Sequence, residues 1–463
     1  MRATTTACDE FTRSSLLRSG LAVAGAGLPT IEPGMPDPAG TGLTRRSMLL
    51  RSTGLAMTVF GAAALGPRAF DAGIADAAAS TPDSPILVSI YLTGGLDGLS
   101  LLAPVDDPLY RSLRPAVKVA SSGDARDRFS EDDRLQWHPK AKPLQTLHRE
   151  GKLTVIPAVG YTDANQSHFT SRHFWEVGQL DTHASAGWLG RYLDIAGTTE
   201  NPMQGLSLDP FLSPALAPRH APVSSIPDVT NVRFWANSVR QGPATEAMGD
   251  ALRRMGEATT DEPERLKAQL AARNLVDVER SLRPLRDTRL PWQSAVTYPV
   301  TGVSFPTRLA VLAEMIGRGL PLRCVTLQPE GGYDTHADQP SILNDQLGQL
   351  CPTLYAFQRD LEARGVADRV ITHVWSEFGR RVRDNGSGTD HGAGGVSLLM
   401  GSRVKGTMVG EFPGLSRLDH NGDLLSTTDY RSVYSSLLEQ WLGADAGPII
   451  PGADRLARPA LIA

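Results

Sequence analysis

Acidic and histidine side chains cluster at the ends of several apolar, strand-like runs of this sequence. They are Asp97 after ILVSIYL, Asp334 and His336 after RCVTLQ, Glu377 at the end of RVITHVW, and Asp390 and His391 before VSLLMG. Open α/β sheets bind their ligands at the carboxyl ends of strands. We therefore expect these loops to deliver their side chains to one edge of one sheet.

Such a set of side chains suits divalent metal ions. Carboxylate oxygen and imidazole nitrogen are the usual ligands of zinc, manganese and iron, and carboxylates also hold calcium. Glycines beside the acids, as in GGLDG and DHGAGG, let the backbone approach a bound group closely. We predict that the six residues hold one or two divalent ions, namely zinc, manganese, iron or calcium.

Each of these motifs also has a structural interpretation. GGLDG is typical of a turn, because glycine and aspartate dominate turns. In DTH and DHG the aspartate could cap a helix while the histidine bonds to backbone. The repetition of acids after separate strands favours the metal site over these alternatives.

A candidate nucleophile is Ser167, in the segment NQSHFTSRHFWEVG that follows the apolar run KLTVIPAV. A serine at a helix start could attack phosphorus or sulfur, because the helix dipole and a nearby metal would stabilise its alkoxide. It could equally be an ordinary helix N-cap. Arg380 or Arg172 could clamp a tetrahedral anion, although either could instead pair with a carboxylate.

Other reactive side chains are predicted to be structural. His373 lies inside a strand and is expected in the core. Asp419 and His420, in RLDHNGDL, are expected in a surface turn. Cys324 and Cys351 are expected to be independent buried residues rather than a disulfide, because two thiols in a chain of this size more often stay separate.

The order of elements defines the expected fold class. The five apolar runs ILVSIYL, KLTVIPAV, RCVTLQ, RVITHVW and VSLLMG alternate with segments of helical periodicity such as 340–364 and 429–442. This alternation predicts an α/β protein with a doubly wound, largely parallel sheet. Residues 200–300 lack strong strand signals and contain a charged helical stretch, so they are predicted to form a helical insertion or cap.

Composition limits the classes of partner. The 463 residues carry a net charge of −4 and are 41% hydrophobic, which is typical of a globular protein of one large or two modest domains. A weakly acidic net charge gives no sign of the basic surface that binds nucleic acid, so no nucleic-acid partner is expected.

The N-terminal region has the features of an export signal. Arg45 and Arg46 precede an Ala/Gly-rich apolar stretch over 52–67, and small residues follow over 76–80. The stretch is shorter than the roughly 20 residues that span a bilayer. We predict a leader over 1–80 with a twin-arginine signal, cleaved between Ala77 and Ser80, and a folded domain over 81–463. The protein is therefore expected in the periplasm, the cell envelope or the medium.

Four blocks of sequence also carry a family resemblance. LTGGLDGLSLLAPVDDPLYRSLRP, QSHFTSRHFWEVG, GGYDTHADQ and SEFGRRVRDNGSGTDHGAGGVSLLMG resemble, in this order, the blocks of domain of unknown function 1501, a family of mostly exported bacterial proteins. That family is grouped with the alkaline phosphatase and sulfatase superfamily. The resemblance implies a fold of that type, with Asp97 as the first-strand metal acid and Ser167 as the nucleophile. It also implies that Asp334 and His336 bind a second metal and that His391 is the late histidine.

Two functions are consistent with these features. The first is an exported, metal-dependent hydrolase of phosphate or sulfate esters, acting on a small-molecule or glycan ester through Ser167 or a water. The second is a noncatalytic, metal-stabilised envelope protein that binds a glycan or a protein partner on the same scaffold, since a fold alone does not fix an activity.

Overall fold

The computed structural model describes residues 32, 34–40, 58–60, 84–199, 201–229, 243–258 and 294–463, with scattered positions between 260 and 285. The twin arginines, Arg45 and Arg46, and the predicted cleavage region lie outside the described residues. Within the described part of the chain, no helix is both long and apolar enough to cross a membrane.

The described strands form one large sheet and two small ones. The strands are β1 Thr58–Phe60, β2 Ile86–Tyr91, β3 Leu102–Ala103, β4 Arg128–Phe129, β5 Asp132–Trp137, β6 Leu153–Gly160, β7 Gly205–Ser207, β8 Val223–Ser225, β9 Cys324–Leu327, β10 Val370–Trp375, β11 Arg380–Asp384, β12 Thr389–His391, β13 Gly395–Met400 and β14 Thr428–Asp429. The large sheet has the order β1-β8-β7-β9-β2-β10-β13-β6-β14, and the small sheets are β3-β5-β4 and β11-β12.

Helices connect these strands. They are α1 Gly98–Leu101, α2 Pro108–Leu113, α3 Lys142–Arg149, α4 His168–Val177, α5 Trp188–Ala196, α6 Pro243–Glu257, α7 Phe305–Gly317, α8 Gln339–Ala363 and α9 Tyr430–Gln440. Single 3-10 turns lie at Ala125–Asp127, Pro139–Ala141, Pro214–Leu216, Ala367–Arg369 and Ala453–Arg455. The five predicted strands are confirmed as β2, β6, β9, β10 and β13, and the two predicted helices as α8 and α9.

The large sheet is mostly parallel, as predicted. Strands β8, β7, β9, β2 and β10 pair in parallel, whereas β13 is antiparallel to both β10 and β6. Two antiparallel pairings in succession make β6 parallel to β10. The carboxyl ends of β2, β6, β9 and β10 and the amino end of β13 therefore lie at one edge of the sheet.

Side chains of the central strands alternate between two apolar cores, one on each face. Ile86, Val88 and Ile90 of β2 pack in a core that includes residues of α7 and α8. Leu87 and Tyr91 point to the other face, where the core contains residues of α4, α5 and α9. A strand that is buried on both faces reads as a continuous apolar run, which is why these strands are easily recognised in the sequence.

The prediction of a helical insertion over 200–300 is wrong for its first part. Strands β7 and β8 fall in this region and belong to the large sheet. Each has only three residues, too few to show a strand period in the sequence. Helix α6 lies in the same region and agrees with the helical prediction.

Two pieces of the predicted leader contact the domain. Ala39 is buried against Val177 and Ala217, and the Gly40 amide donates to the Ser185 carbonyl at 2.9 Å. Strand β1, within the apolar stretch of the predicted signal, pairs antiparallel with β8 at the sheet edge.

A buried ion pair joins the loop after β2, which contains Asp97, to the end of α2. Asp97 caps α1, and its side chain is 1% exposed. The carboxylate accepts two hydrogen bonds from Arg114, at 2.6 and 3.1 Å, and Arg114 is fully buried. Burial would raise the pKa of Asp97, but the charge and hydrogen bonds of Arg114 outweigh it and hold the pKa below its usual 3.8.

Replacing Arg114 should therefore be costly. Arg114→Ala leaves a buried, uncompensated carboxylate and should lower the free energy of unfolding by about 3–5 kcal/mol in urea titrations. The pair lowers the pKa of Asp97, so it stabilises the fold only while Asp97 is ionised. The loss of unfolding free energy in Arg114→Ala should therefore be complete above a pH of about 4 and should shrink as the pH falls below it. Arg126→Ala, which removes an exposed partner of Asp124, is the control and should leave unfolding unchanged. Equal effects of the two variants would contradict this account.

Candidate metal centre

Three segments of the chain meet at Asp334, at the edge of the sheet defined above. Asp334 follows β9, His168 begins α4 after β6, and His391 ends β12 shortly before β13. His336 follows Asp334 on the same loop. Because β6, β9 and β13 present the appropriate ends at this edge, residues far apart in the sequence become neighbours.

Three imidazoles face the Asp334 carboxylate through their Nε2 atoms. His168 Nε2 lies 3.3 Å from Oδ2, while His336 Nε2 and His391 Nε2 lie 3.0 and 3.3 Å from Oδ1. The Nε2 atoms of His336 and His391 are 3.1 Å apart. Ligand atoms of His168, Asp334 and His391 all lie within 4.8 Å of one another, close enough to hold one metal ion.

The second nitrogen of each imidazole is held by an acceptor. His168 Nδ1 lies 2.8 Å from Glu377 Oε1, and His336 Nδ1 lies 2.9 Å from Asp390 Oδ1. His391 Nδ1 lies 2.7 Å from the Gln166 carbonyl. Since these acceptors require a proton on Nδ1, a neutral ring carries its lone pair on Nε2. This is the arrangement that fixes histidine ligands around metals.

The cluster demands positive charge. Two neutral imidazoles with lone pairs on Nε2 would repel each other at 3.1 Å, so a proton or a metal ion must lie between His336 and His391. Burial would raise the pKa of Asp334, but the hydrogen bonds that it accepts from the three histidines when their rings are protonated outweigh burial and hold the pKa far below its usual value. The carboxylate is therefore ionised and able to bind a cation.

Glu377 is a partner of a ligand rather than a member of the inner cluster. Its fully buried carboxylate accepts from the Gly94 amide at 2.9 Å and from His168 at 2.8 Å. Burial would raise its pKa, but the hydrogen bond and charge of His168 hold the pKa below its ordinary value. Glu377 thus orients His168.

Glycines at 94 and 95 are required by this arrangement. Both have positive φ, +106° and +83°. A Cβ on Gly94 would lie 2.4 Å from the Asp334 amide nitrogen, and one on Gly95 would lie 2.7 Å from the Phe378 ring. Phe378 in turn packs against the imidazoles of His168 and His391, with ring centroids 4.9 and 4.7 Å away.

Asp97, although predicted as a ligand, is engaged elsewhere. Its oxygens accept from Arg114, from Ser100 Oγ at 2.6 Å and from Gln339 Nε2 at 2.6 Å. The structure brings together Asp334, His336 and His391, with Glu377 and Asp390 behind them, and uses Asp97 to anchor the loop.

Arg380 brings a buried guanidinium to the cluster. Its side chain is 0% exposed, and Nη2 donates to Asp334 Oδ1 at 3.1 Å. Its Nε and Nη1 atoms have no hydrogen-bond partner among the described residues. Burial lowers its pKa, although Asp334 partly offsets this effect.

Ser167 caps α4, which is the structural alternative considered above. Its Oγ accepts from the Thr170 amide at 3.3 Å and donates to Glu32. Arg172, the other candidate for an anion clamp, pairs with Glu176 at 2.8 Å and lies over the Tyr91 ring.

His168 is a candidate ligand that the sequence pattern did not single out. It stands immediately after the candidate nucleophile Ser167, in the segment that follows β6. Like the other candidate histidines, His168 lies near the edge of the sheet where the parallel strands end. Recognising β6 as parallel to β10 would have selected it.

A cleft of about 470 Å³ reaches this site. Asp334 and Gly94 form part of its wall, and its polar lining also includes Asp209, Arg308, Glu330 and Ser304. Arg308 pairs with Asp209 at 2.9 Å and with Glu330 at 3.4 Å. The cleft has room for a small organic group beside the histidine cluster.

Fold and site together define a mixed α/β protein with a histidine-rich candidate metal centre. The model of a family described as "Protein of unknown function (DUF1501)" matches residues 177–435, more than half of the chain. The chain belongs to this family. The matched region contains Asp334, His336, Glu377, Arg380, Asp390 and His391, whereas His168 lies before it.

Other comparisons add little. No curated protein matches the chain. One solved structure, titled "Crystal structure of Ps i-CgsB", has 9% sequence identity and a TM-score of 0.33, covering 80% of this chain and 75% of that chain. A similarity of this size carries no argument about fold or function.

Removing one imidazole should abolish tight metal binding. His168→Ala should weaken Zn²⁺ binding by more than the roughly 10–100-fold that loss of an outer partner costs. Isothermal titration with Zn²⁺ measures the change. His373→Ala is the matched control, because His373 is also fully buried but lies in β10 and contacts Ser397. Its Zn²⁺ affinity should equal that of the parent, and equal losses in both variants would contradict the assignment.

Proposed function

We propose that this protein is an exported, metal-dependent hydrolase of phosphate or sulfate esters. The observation that carries the proposal is the cluster of three imidazoles around Asp334, each with its Nδ1 held by a separate acceptor. Such complete support of ligand orientation is characteristic of metal sites. A core histidine needs only one such partner, as His373 illustrates with Ser397.

The donor set favours a transition metal. Three imidazole nitrogens and one carboxylate suit zinc, manganese or iron, whereas calcium prefers oxygen ligands throughout. His168, Asp334, His336 and His391 would hold the ion, and Glu377, Asp390 and the Gln166 carbonyl would orient the imidazoles. A divalent ion held there would supply Lewis acidity and lower the pKa of a water molecule.

Arg380 supports an anionic substrate. A guanidinium presents its donors in a planar fork that matches phosphate or sulfate oxygens. With one nitrogen on Asp334 and two others without partners among the described residues, Arg380 can bind an oxyanion directly beside the cluster. Leaving such donors buried and unpaired is costly, so their presence points to a group that satisfies them.

Water, rather than Ser167, is the nucleophile in this proposal. The Ser167 hydroxyl already caps α4 and contacts Glu32, and no base lies within hydrogen-bond distance of it apart from that glutamate among the described residues. The cleft lined by Asp209 and Arg308 would accept the alcohol portion of the ester.

The relationship to the alkaline phosphatase and sulfatase superfamily is part of the proposal. Its support is a mostly parallel sheet with helices on both faces and candidate ligands at the carboxyl edge. Export by the twin-arginine route is likewise proposed from Arg45, Arg46 and the apolar stretch that follows.

One observation favours the alternative of a noncatalytic, metal-stabilised envelope protein that binds a glycan or a protein partner. The resemblance implies that Asp97 is a metal ligand and Ser167 the nucleophile, but here they serve as an ion-pair partner and a helix cap. A protein that binds a metal without catalysis would not need these two residues for chemistry, and they could take such structural roles.

Metal content and turnover separate the two functions. The purified parent protein should contain zinc, manganese or iron by elemental analysis and should hydrolyse p-nitrophenyl phosphate or p-nitrophenyl sulfate. Arg380→Ala should lower kcat/KM roughly 10²–10³-fold, the loss typical of removing a donor to a developing charge, while the metal is retained. Ser167→Ala is the control and should keep its turnover.

Two outcomes would decide against the hydrolase, and a third would change its nucleophile. A stable parent without metal would remove its basis, and a metal-loaded parent inactive on both esters would favour the binding protein. Loss of turnover in Ser167→Ala with metal retained would restore serine as the nucleophile.

A further inference from the structure

The turn Asp419–Asp423 lies behind the proposed metal centre. The Asp419 carboxylate accepts from the amides of Asn421 and Asp423, both at 2.8 Å, and the Asp419 amide donates to the Asp423 carbonyl at 2.9 Å. Asp419 therefore closes the turn without help from the side chain of Asp423. The next residue, Leu424, accepts from the Gly394 amide at 3.0 Å and ties the turn to the loop after His391.

The side chain of Asp423 points inward and contacts a ligand's partner. It is 0% exposed, and its Oδ2 accepts from Gln166 Nε2 at 2.5 Å. The backbone carbonyl of the same Gln166 holds His391 Nδ1 at 2.7 Å. Gln166 is thus fixed at both ends, by Asp423 through its side chain and by His391 through its backbone.

A buried carboxylate is an expensive way to hold a glutamine. Asp423 lies 3.8 Å from Arg381 Nε, beyond hydrogen-bond distance, and its Oδ1 has no hydrogen-bond partner among the described residues. Burial raises its pKa to about 6, although Arg381 partly offsets this effect. Burying a poorly paired acid destabilises a fold, and the turn itself does not need it.

We propose that Asp423 is a positioning residue of the metal centre, which acts through Gln166 to fix the ring orientation and tautomer of His391. The inference rests on the proposed function, because it requires that His391 bind a metal. Removing a residue that hydrogen-bonds to a metal ligand typically weakens metal affinity 10–100-fold. Asp423 acts one hydrogen bond further out, so an effect near tenfold is expected.

The test uses Co²⁺ bound to the full-length protein. Its visible absorption spectrum reports ligand geometry, and competition with a chelator gives the dissociation constant. Asp423→Ala should raise the Co²⁺ dissociation constant about tenfold and alter the spectrum. Gln166→Ala keeps the backbone carbonyl but loses the contact with Asp423, so it should have the same effect. The double variant should be no worse than either single one, because both remove one interaction.

Two further variants separate positioning from general stability. Asp423→Asn retains an oxygen that can accept from Gln166 and should bind Co²⁺ within about threefold of the parent, far less than the loss expected for alanine. Asp360→Ala removes an equally buried acid of α8 that bonds Arg364, and should lower the melting temperature without altering the spectrum.

The outcomes are distinguishable. A parent that binds Co²⁺ with Asp423→Ala and Gln166→Ala unchanged in affinity and spectrum would overturn the positioning role and leave the proposed function intact. Multiplicative losses in the double variant would also overturn it. A parent that binds no Co²⁺, Zn²⁺ or Mn²⁺ would overturn the proposed function and this inference together. If Asp423→Ala does not fold, Gln166→Ala still decides the question.

Discussion

The convergence of three imidazoles on the Asp334 carboxylate is the interaction on which the rest of the site depends. One carboxylate receives His168 from the loop after β6, His391 from the loop before β13 and Arg380 from the start of β11. These segments can meet only because one edge of the sheet collects the carboxyl ends of parallel strands and the amino end of an antiparallel one. The mixed sheet is therefore a requirement of the site.

Close packing of the loops follows from the same convergence. The amides of Gly94 and Gly95 approach Glu377, and that approach leaves no room for a Cβ beside Asp334 or Phe378. The glycine-rich surroundings of Asp97 are explained by this contact, although Asp97 itself points away from the cluster to Arg114. The glycine pair therefore correctly predicts that this loop approaches the cluster, but Asp97 is not the side chain that contacts it.

The sequence predicts the strands and the edge well, because strands buried on both faces appear as uninterrupted apolar runs. It predicts Asp334, His336 and His391 as neighbours by the same reasoning. It does not separate the candidate ligand Asp334 from Glu377 and Asp97, because all three are carboxylates that follow a strand. That distinction depends on Arg114 and His168, whose contacts join residues that are distant in the sequence. The sequence does not predict strands β7 and β8, because three residues are too few to show the alternation of a strand.

Charge balance connects the metal to the substrate. Asp334, Glu377 and Asp390 bring three negative charges to the cluster and its partners and Arg380 brings one positive charge, so neutral imidazoles leave an excess of two negative charges. The 3.1 Å contact between His336 and His391 already requires a cation, either a proton or a metal ion. A divalent ion would cancel this excess of negative charge. Metal binding would therefore remove the negative charge that repels phosphate or sulfate, and the donors of Arg380 that lack a partner among the described residues could then pair with the oxygens of an anionic ester.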